Sequence, residues 1–210
     1  MHILLTDILT CPRCGPTFGL ILLADRFEDR HVATGRLGCA NCRSSYPVDE
    51  GIGDLRTVSE GSLGISDRLP IPEDRAIRTA ALLGAAPPGV KTLLIEEFGA
   101  HAVEVASHFP EVHVVGVAAD FPPTDGTAEL LSRVRAGGHL PFRRASFRGC
   151  AILGTPTGAL LSEVSRVLAP GARLVVDVAA EDTLSEIDSL GAHVLLHQDG
   201  VVVAAAPGPR

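Results

Sequence analysis

Two Cys-x-x-Cys pairs constrain this chain more than any other feature: Cys11-Pro12-Arg13-Cys14 is answered by Cys39-Ala40-Asn41-Cys42. At that spacing the four thiolates predict one tetrahedral zinc site, because a two-residue gap lets both sulfurs of a pair turn inward while backbone N–H groups point at them. Four cysteine ligands leave no open position, so the metal is expected to be structural. The site is negatively charged, and Arg13 and Arg43, inside and beside the pairs, are placed to offset that charge. Two disulfides or a redox Cys-x-x-Cys would use the same residues, but neither accounts for two equivalent pairs each set at a turn.

With 210 residues and 46% hydrophobic content the chain is able to bury a core well beyond the ribbon that the cysteines define. Of its 18 basic residues only Lys91 is a lysine, and the formal net charge is -7. That balance disfavours a general nucleic-acid binder, which needs a positive face to neutralise phosphates. The apolar opening Met1 to Leu5 is interrupted by Asp7 and lacks the basic and small-residue flanks of a signal peptide, and no run is long enough to span a membrane. Thiolates that must stay reduced then point to the cytoplasm. Cys150, within the apolar run Gly149 to Leu153, is expected to be a small buried hydrophobe.

Along the chain, Leu4 to Leu9 reads as a short helix or turn, Phe18 to Ala24 as a strand, Asp25 to Arg30 as a charged turn and His31 to Leu37 as a second strand. Residues 57–72 are rich in Gly, Ser and Pro and read as a linker, after which Pro72 opens a helix that Gly84 or Pro87 closes. From Lys91 strands and helices alternate: strands at Thr92 to Ile95, Val112 to Ala118, Cys150 to Leu153 and Arg173 to Val178. The helices fall around Ala102 to Phe109, Leu130 to Val134, Leu160 to Leu168 (with Thr155-Pro156 as its start) and Leu184 to Leu190. Asp199-Gly200 marks a tight hairpin between two final strands. The expected fold is α/β: a zinc ribbon over 1–57, a linker and helix over 58–89, and over 90–210 a doubly wound, mostly parallel Rossmann-like sheet ending in an antiparallel hairpin.

Ile8-Leu9-Thr10-Cys11-Pro12, Leu37-x-Cys39-x-x-Cys42 and the Tyr46-Pro47-Val48 stretch closed by Glu50-Gly51-Ile52 resemble the small zinc-ribbon family of methyltransferase-activating subunits. The resemblance covers about residues 1–57, with Gly53 where that family often has proline. It implies a ribbon that binds a methyltransferase domain and stabilises it or completes its surface. Downstream, Leu140-Pro141-Phe142, Ser146-Phe147 and Leu161-x-Glu163-x-x-Arg166-Val167-Leu168-x-Pro170-Gly171 resemble class I S-adenosylmethionine-dependent methyltransferases, over roughly 90–206. That resemblance implies a cofactor at the carboxyl ends of the first strands, gripped by a glycine-rich turn and by acids after the second and third strands.

Those cofactor residues are missing. The stretch Glu96-Glu97-Phe98-Gly99-Ala100-His101-Ala102 keeps one glycine, Ala118 stands where the ribose acid belongs with Asp120 two residues late, Ala136 replaces the adenine-facing acid, and Arg148 replaces an aspartate. S-adenosylmethionine is therefore not expected to bind, and the chain reads as a non-catalytic, zinc-binding partner or regulatory protein: a pseudoenzyme. The alternative is an active methyltransferase with an atypical pocket, holding its cofactor through Glu96 or Glu97 and Asp120, with the ribbon as its activator in cis. Arg133, Arg135, Arg143, Arg144 and Arg148 carry no acid between them and are expected beside the emptied pocket. They form a solvated face or, for Arg143, Arg144 and Arg148, a docking site for an acidic protein partner. His101, His108 and His113 fall on different faces and suggest no second metal.

Overall fold

The computed structural model describes residues 1–57, 71–84, 91–109, 111–121, 129–137 and 139–208, so most of the expected linker lies outside the described residues. The chain opens with a single-turn 3-10 helix (Ile3–Asp7), capped by His2, whose Nδ1 accepts from Leu4 N–H. Strands β1 (Thr10–Cys11), β2 (Gly15–Gly19), β3 (Ile21–Glu28), β4 (His31–Gly38), β5 (Ser45–Asp49) and β6 (Ile52–Asp54) follow. Helix α1 (Glu73–Leu83), strand β7 (Lys91–Glu96), the short helices α2 (Glu97–Ala100) and α3 (Ala102–Ala106), and strands β8 (His113–Ala118), β9 (Leu131–Arg135) and β10 (Phe147–Leu153) come next. Helix α4 (Gly158–Val167), strand β11 (Leu168–Asp177), helix α5 (Glu181–Ser189) and the hairpin β12 (His193–Gln198) and β13 (Val201–Ala205) complete the fold.

Eleven strands form one sheet in the order β12-β13-β11-β10-β7-β8-β9-β6-β5-β4-β3. Taking β7 to β13 as strands one to seven, the order is 3-2-1-4-5-7-6: a doubly wound sheet with one antiparallel strand, β13, inserted near its edge. The sheet as a whole is mixed rather than mostly parallel. Pairs from β11 across to β6 are parallel, whereas the ribbon strands and the terminal hairpin are antiparallel. The reason is the join: β6, the last ribbon strand, lies parallel beside β9, with Ile52 opposite Arg133 and Asp54 opposite Arg135. One hydrophobic cluster accordingly runs from ribbon residues Leu5, Leu9, Val32 and Leu37 to Leu93, Phe142, Phe147 and Ile152 of the larger part. A second, on the other face, packs α1, α2 and α3 on the sheet.

Local expectations fail where long-range pairing decides. The helix expected over Leu130 to Val134 is strand β9, because β8 on one side and β6 on the other satisfy its backbone. Helix α4 is capped not at Thr155 but at Thr157, whose side chain accepts from Leu160 N–H at 3.2 Å. The charged turn contracts to Asp29 and Arg30, both at positive φ, and strand β3 runs through Asp25 to Glu28. Gly84 ends α1 at φ 81°, and Asp199-Gly200 makes the final two-residue turn with both residues at positive φ.

Candidate metal centre and the carboxyl ends of the sheet

Cys11, Cys14, Cys39 and Cys42 converge, with all four sulfurs within 4.8 Å of one another. The Cys11–Cys42 and Cys14–Cys39 separations are 3.6 and 3.8 Å. A tetrahedral zinc with Zn–S bonds near 2.3 Å requires sulfurs about 3.8 Å apart, so the cluster fits zinc without rearrangement. The second pair is turned by Cys39 and Ser44: Cys39 N–H donates to Ser44 O, and Arg43, at φ 60°, returns its N–H to Cys39 O, both at 2.9 Å. Asn41 donates to Cys14 Sγ at 3.3 Å, and the buried Tyr46 hydroxyl lies 3.4 Å from Cys11 Sγ. Burial and then Cys11 push the Tyr46 hydroxyl up, so it keeps its proton and donates to the thiolate. Hydrogen bonds from the Ser44 side chain and then its backbone hold the Cys42 thiol down to about 6, already favouring the ligand form.

Charge offset at the cysteines thus comes from Asn41, Tyr46 and Ser44. Arg13 donates to Ser44 Oγ at 3.1 Å, and among the described residues neither Arg13 nor Arg43 sends its guanidinium to a sulfur. Asn41 stands inside the second pair and Tyr46 within an alternating strand, and only that placement in the sequence hints at them. The centre is anchored from the other side too. Thr10 N–H donates to Pro141 O at 2.8 Å, Arg143 N–H to Ile8 O at 2.9 Å, and Leu9 bridges to Phe142. Glu163 and Arg166 of α4 hold the same Leu140-Pro141-Phe142 segment: Arg166 donates to the carbonyls of Leu140 and Phe142, and Glu163 accepts Leu140 N–H.

At the carboxyl ends of β7, β8 and β9, strand β7 ends at Glu96 and α2 begins at the next residue. Gly99 is packed shut: a Cβ there would stand 2.0 Å from Val117 O and 2.8 Å from Leu94 O. Gly116 faces it across β8, its own virtual Cβ 2.6 Å from Ala102 Cβ. Gly99 therefore lets a helix approach a strand, the packing role of a glycine in such folds rather than the ligand-clearing role. Phe98, Ala100, His101 and Ala102 are all buried. The side chains of Glu96 and Glu97 lie outside the described part of the structure.

Asp120 faces β9, accepting from Arg135 Nε at 3.0 Å and from Phe121 N–H at 2.9 Å. Arg56, just past β6, pairs with Asp54 and donates to Ala119 O at 3.4 Å. Burial opposes ionisation of Asp54 and Asp120, but hydrogen bonds from Arg56, and from Phe121 N–H and Arg135, outweigh it and hold both carboxyls below their ordinary range. Ribbon residue Ile52 joins Ala100, Ala118 and Phe121 in a small apolar cluster beneath, with the Arg133 guanidinium 5.9 Å from the Phe121 ring centroid. This ribbon-to-sheet network had no signal in the sequence beyond the late Asp120.

The arginines expected in one patch divide. Arg133 and Arg135 belong to the network just described, whereas Arg143, Arg144 and Arg148 are exposed at the amino-terminal end of β10, the opposite end of the strands. The Arg143 guanidinium lies against ribbon residue Gly19. His101, His108 and His113 are not brought together; among the described residues the cysteines are the one group of His, Cys, Asp or Glu close enough to hold a metal. Cys150 is fully buried, and burial pushes its thiol up.

Residues 2–51 match the family model described as Trm112p-like protein. The N-terminal ribbon is a Trm112p-like domain. No curated protein matches the chain. Solved structures similar to it include the antibiotic-resistance methyltransferase Kmr, at 12% identity and a TM-score of 0.46, covering 67% of this chain and 95% of that one. Geranyl diphosphate C-methyltransferase from Streptomyces coelicolor A3(2) matches at 13% identity and a TM-score of 0.49, covering 63% of this chain and 75% of that one. Phosphoethanolamine N-methyltransferase 2 from Haemonchus contortus matches at 18% identity and a TM-score of 0.40, covering 55% of this chain and 32% of that one. The strand order of the larger part is that of a doubly wound sheet with one antiparallel strand inserted near its edge. No helix among the described residues is long and apolar enough to cross a membrane.

Proposed function

We propose that the chain is a cytoplasmic, non-catalytic partner or regulatory protein, in which a Trm112p-like zinc ribbon is docked in cis on a methyltransferase-like sheet that no longer binds S-adenosylmethionine. The observation that carries this reading is the direct passage from β7 into α2 at Glu96 and Glu97, with Gly99 pressed against Val117 and Leu94. A cofactor loop needs backbone free to approach the ligand. Asp120, the remaining candidate for the ribose, is already engaged by Arg135. Cis docking is supported by the β6–β9 pairing, which uses the strand edge the ribbon would otherwise offer to a separate subunit. A protein partner would then be met elsewhere, and Arg143, Arg144 and Arg148, exposed and without an ion pair among the described residues, are the proposed surface, suited to an acidic one.

The test is a thermal-shift and calorimetric titration with S-adenosylmethionine and S-adenosylhomocysteine. A ligand at about a hundred times its Kd adds about 2.7 kcal/mol to stability. No shift is expected. Micromolar binding abolished by Asp120→Ala would overturn this reading and favour the enzyme one. For the cis arrangement, a protease site placed within residues 58–70 and cut after purification should leave the two parts together on a sizing column at neutral pH.

A further inference from the structure

Three histidines from distant parts of the chain meet where the ribbon joins the sheet. His2 packs edge-on against His31 of β4 and His113 of β8, both ring centroids 5.1 Å away. His2 and His113 are almost fully buried, at 2% and 3% exposure. The hydrogen bond that His2 accepts fixes that ring as a neutral imidazole. His2 Nδ1 accepts from Leu4 N–H, so its proton sits on Nε2, and His31 Nδ1 lies 3.0 Å from the Asp29 carbonyl, to which it must donate. Ser132 Oγ of β9 accepts from His2 N–H at 3.0 Å and lies 2.9 Å from His113 Nε2. His113 Nδ1 is buried and, among the described residues, has no hydrogen-bond partner.

A second proton on His2 or His113 would break something. On His2 it would displace the Leu4 cap, and on His113 it would leave a buried Nδ1–H with no acceptor among the described residues. The charged neighbours give little compensation. His2 faces His31, Arg30, the Met1 amino group and Glu129; His113 faces His2, Lys91, His31 and the same amino group. Glu129 favours a proton on His2 and Glu28 lies opposite His31 across the β3–β4 pair, while burial and then Arg133 hold the Met1 amino group itself down to about 5. The rings do not converge on a metal position, so a cation is not what the cluster awaits.

We propose that this cluster is a proton-operated latch: neutral, it closes the ribbon onto the sheet, and protonated, it releases β6 from β9 while the zinc stays bound. The proposal rests on the cis reading above, since a latch requires the ribbon to be docked within the chain. His113 and Ser132 stand on the strands beside the join, and His2 and His31 on the ribbon, so their repulsion acts across the contact that β6 makes with β9. Burial first, and then His2, Lys91 and His31, hold His113 down to about 3, which makes the closed form proton-excluding.

Amide exchange of the full chain, corrected for intrinsic rates, tests the latch. Protection at Ile52–Asp54 and Leu131–Arg135 should fall about tenfold for each pH unit below about 6.5, while β10 and β11 keep theirs. His113→Phe, which cannot take that proton, should lessen the dependence, leaving only the share of His2 and the Met1 amino group. Zinc, followed with a colorimetric chelator, should remain bound over the same range. Unchanged protection, an equal fall in His113→Phe, or a fall that tracks zinc release would each overturn the proposal. Should His113→Phe fail to fold, the wild-type His2 and His113 ring proton resonances decide: they must titrate together with the loss of protection, and independence refutes the latch. Separation of the cut chain at neutral pH would instead count against cis docking itself.

Discussion

Replacing Gly99 with alanine separates a packing glycine from a ligand-clearing one. In an open helix the change would be favourable by about 1 kcal/mol, because alanine is the better helix former. Here the new methyl would stand 2.0 Å from Val117 O and 2.8 Å from Leu94 O. Both are backbone atoms of paired central strands, β8 and β7, so no side chain is able to swing aside. Overpacking costs about 1–3 kcal/mol, and a contact this close belongs at the top of that range or above it. The net expectation is a loss of about 2–3 kcal/mol. With an m-value of about 1–3 kcal/mol per molar urea, the midpoint should drop by about 1 M at an unchanged slope. Gly208→Ala, where nothing lies within 4 Å, is the control and should not move. A Gly99→Ala midpoint within about 0.2 M of the parent would mean that space exists above β8, and the argument against a cofactor there would collapse.

Cys39→Ser should yield protein lacking zinc by elemental analysis and selectively unfolded in the ribbon, since metal binding supplies most of the folding free energy of so small a unit; a zinc-free but fully folded protein would contradict the site. Stability measured in urea should fall by at least about 1.4 kcal/mol per unit below pH 6.5, because the unfolded His113 takes up a proton that the folded one, held at about 3, refuses, and the Met1 amino group, held down to about 5, adds a fall that begins below pH 8. The His113 share is complete above pH 6.5 and lost as the pH drops toward 3; a flat profile would refute the assignment. Charge reversal at Arg143, Arg144 and Arg148 together should weaken capture of an acidic partner and its salt sensitivity while shifting the Tm by no more than about 2 °C, as exposed arginines contribute little to folding; unchanged capture would leave them as a solvated face.

The convergence of the four cysteines was legible because tetrahedral geometry leaves few spacings to choose from, and the alternation after Lys91 because buried parallel strands are written as apolar runs. Leu130 to Val134 misled because apolar residues at those intervals suit a helix, and only the arrival of β6 and β8 on either side makes the stretch a strand. The same remoteness hid the functional detail. Arg56 meets Ala119, His2 meets His113, and Arg143 leans on Gly19, contacts between positions far apart in the chain that no local pattern announces. The arginine run misled for a related reason: consecutive positions divided between the two ends of the same strands.

The β6–β9 pairing also makes zinc supply a matter of solubility. Chelation would do more than melt the ribbon, for it would withdraw β6 and leave the backbone of Leu131–Arg135 without its outer neighbour. A bared strand edge recruits other strands, and in a metal-starved cell the sheet would become its own aggregation template.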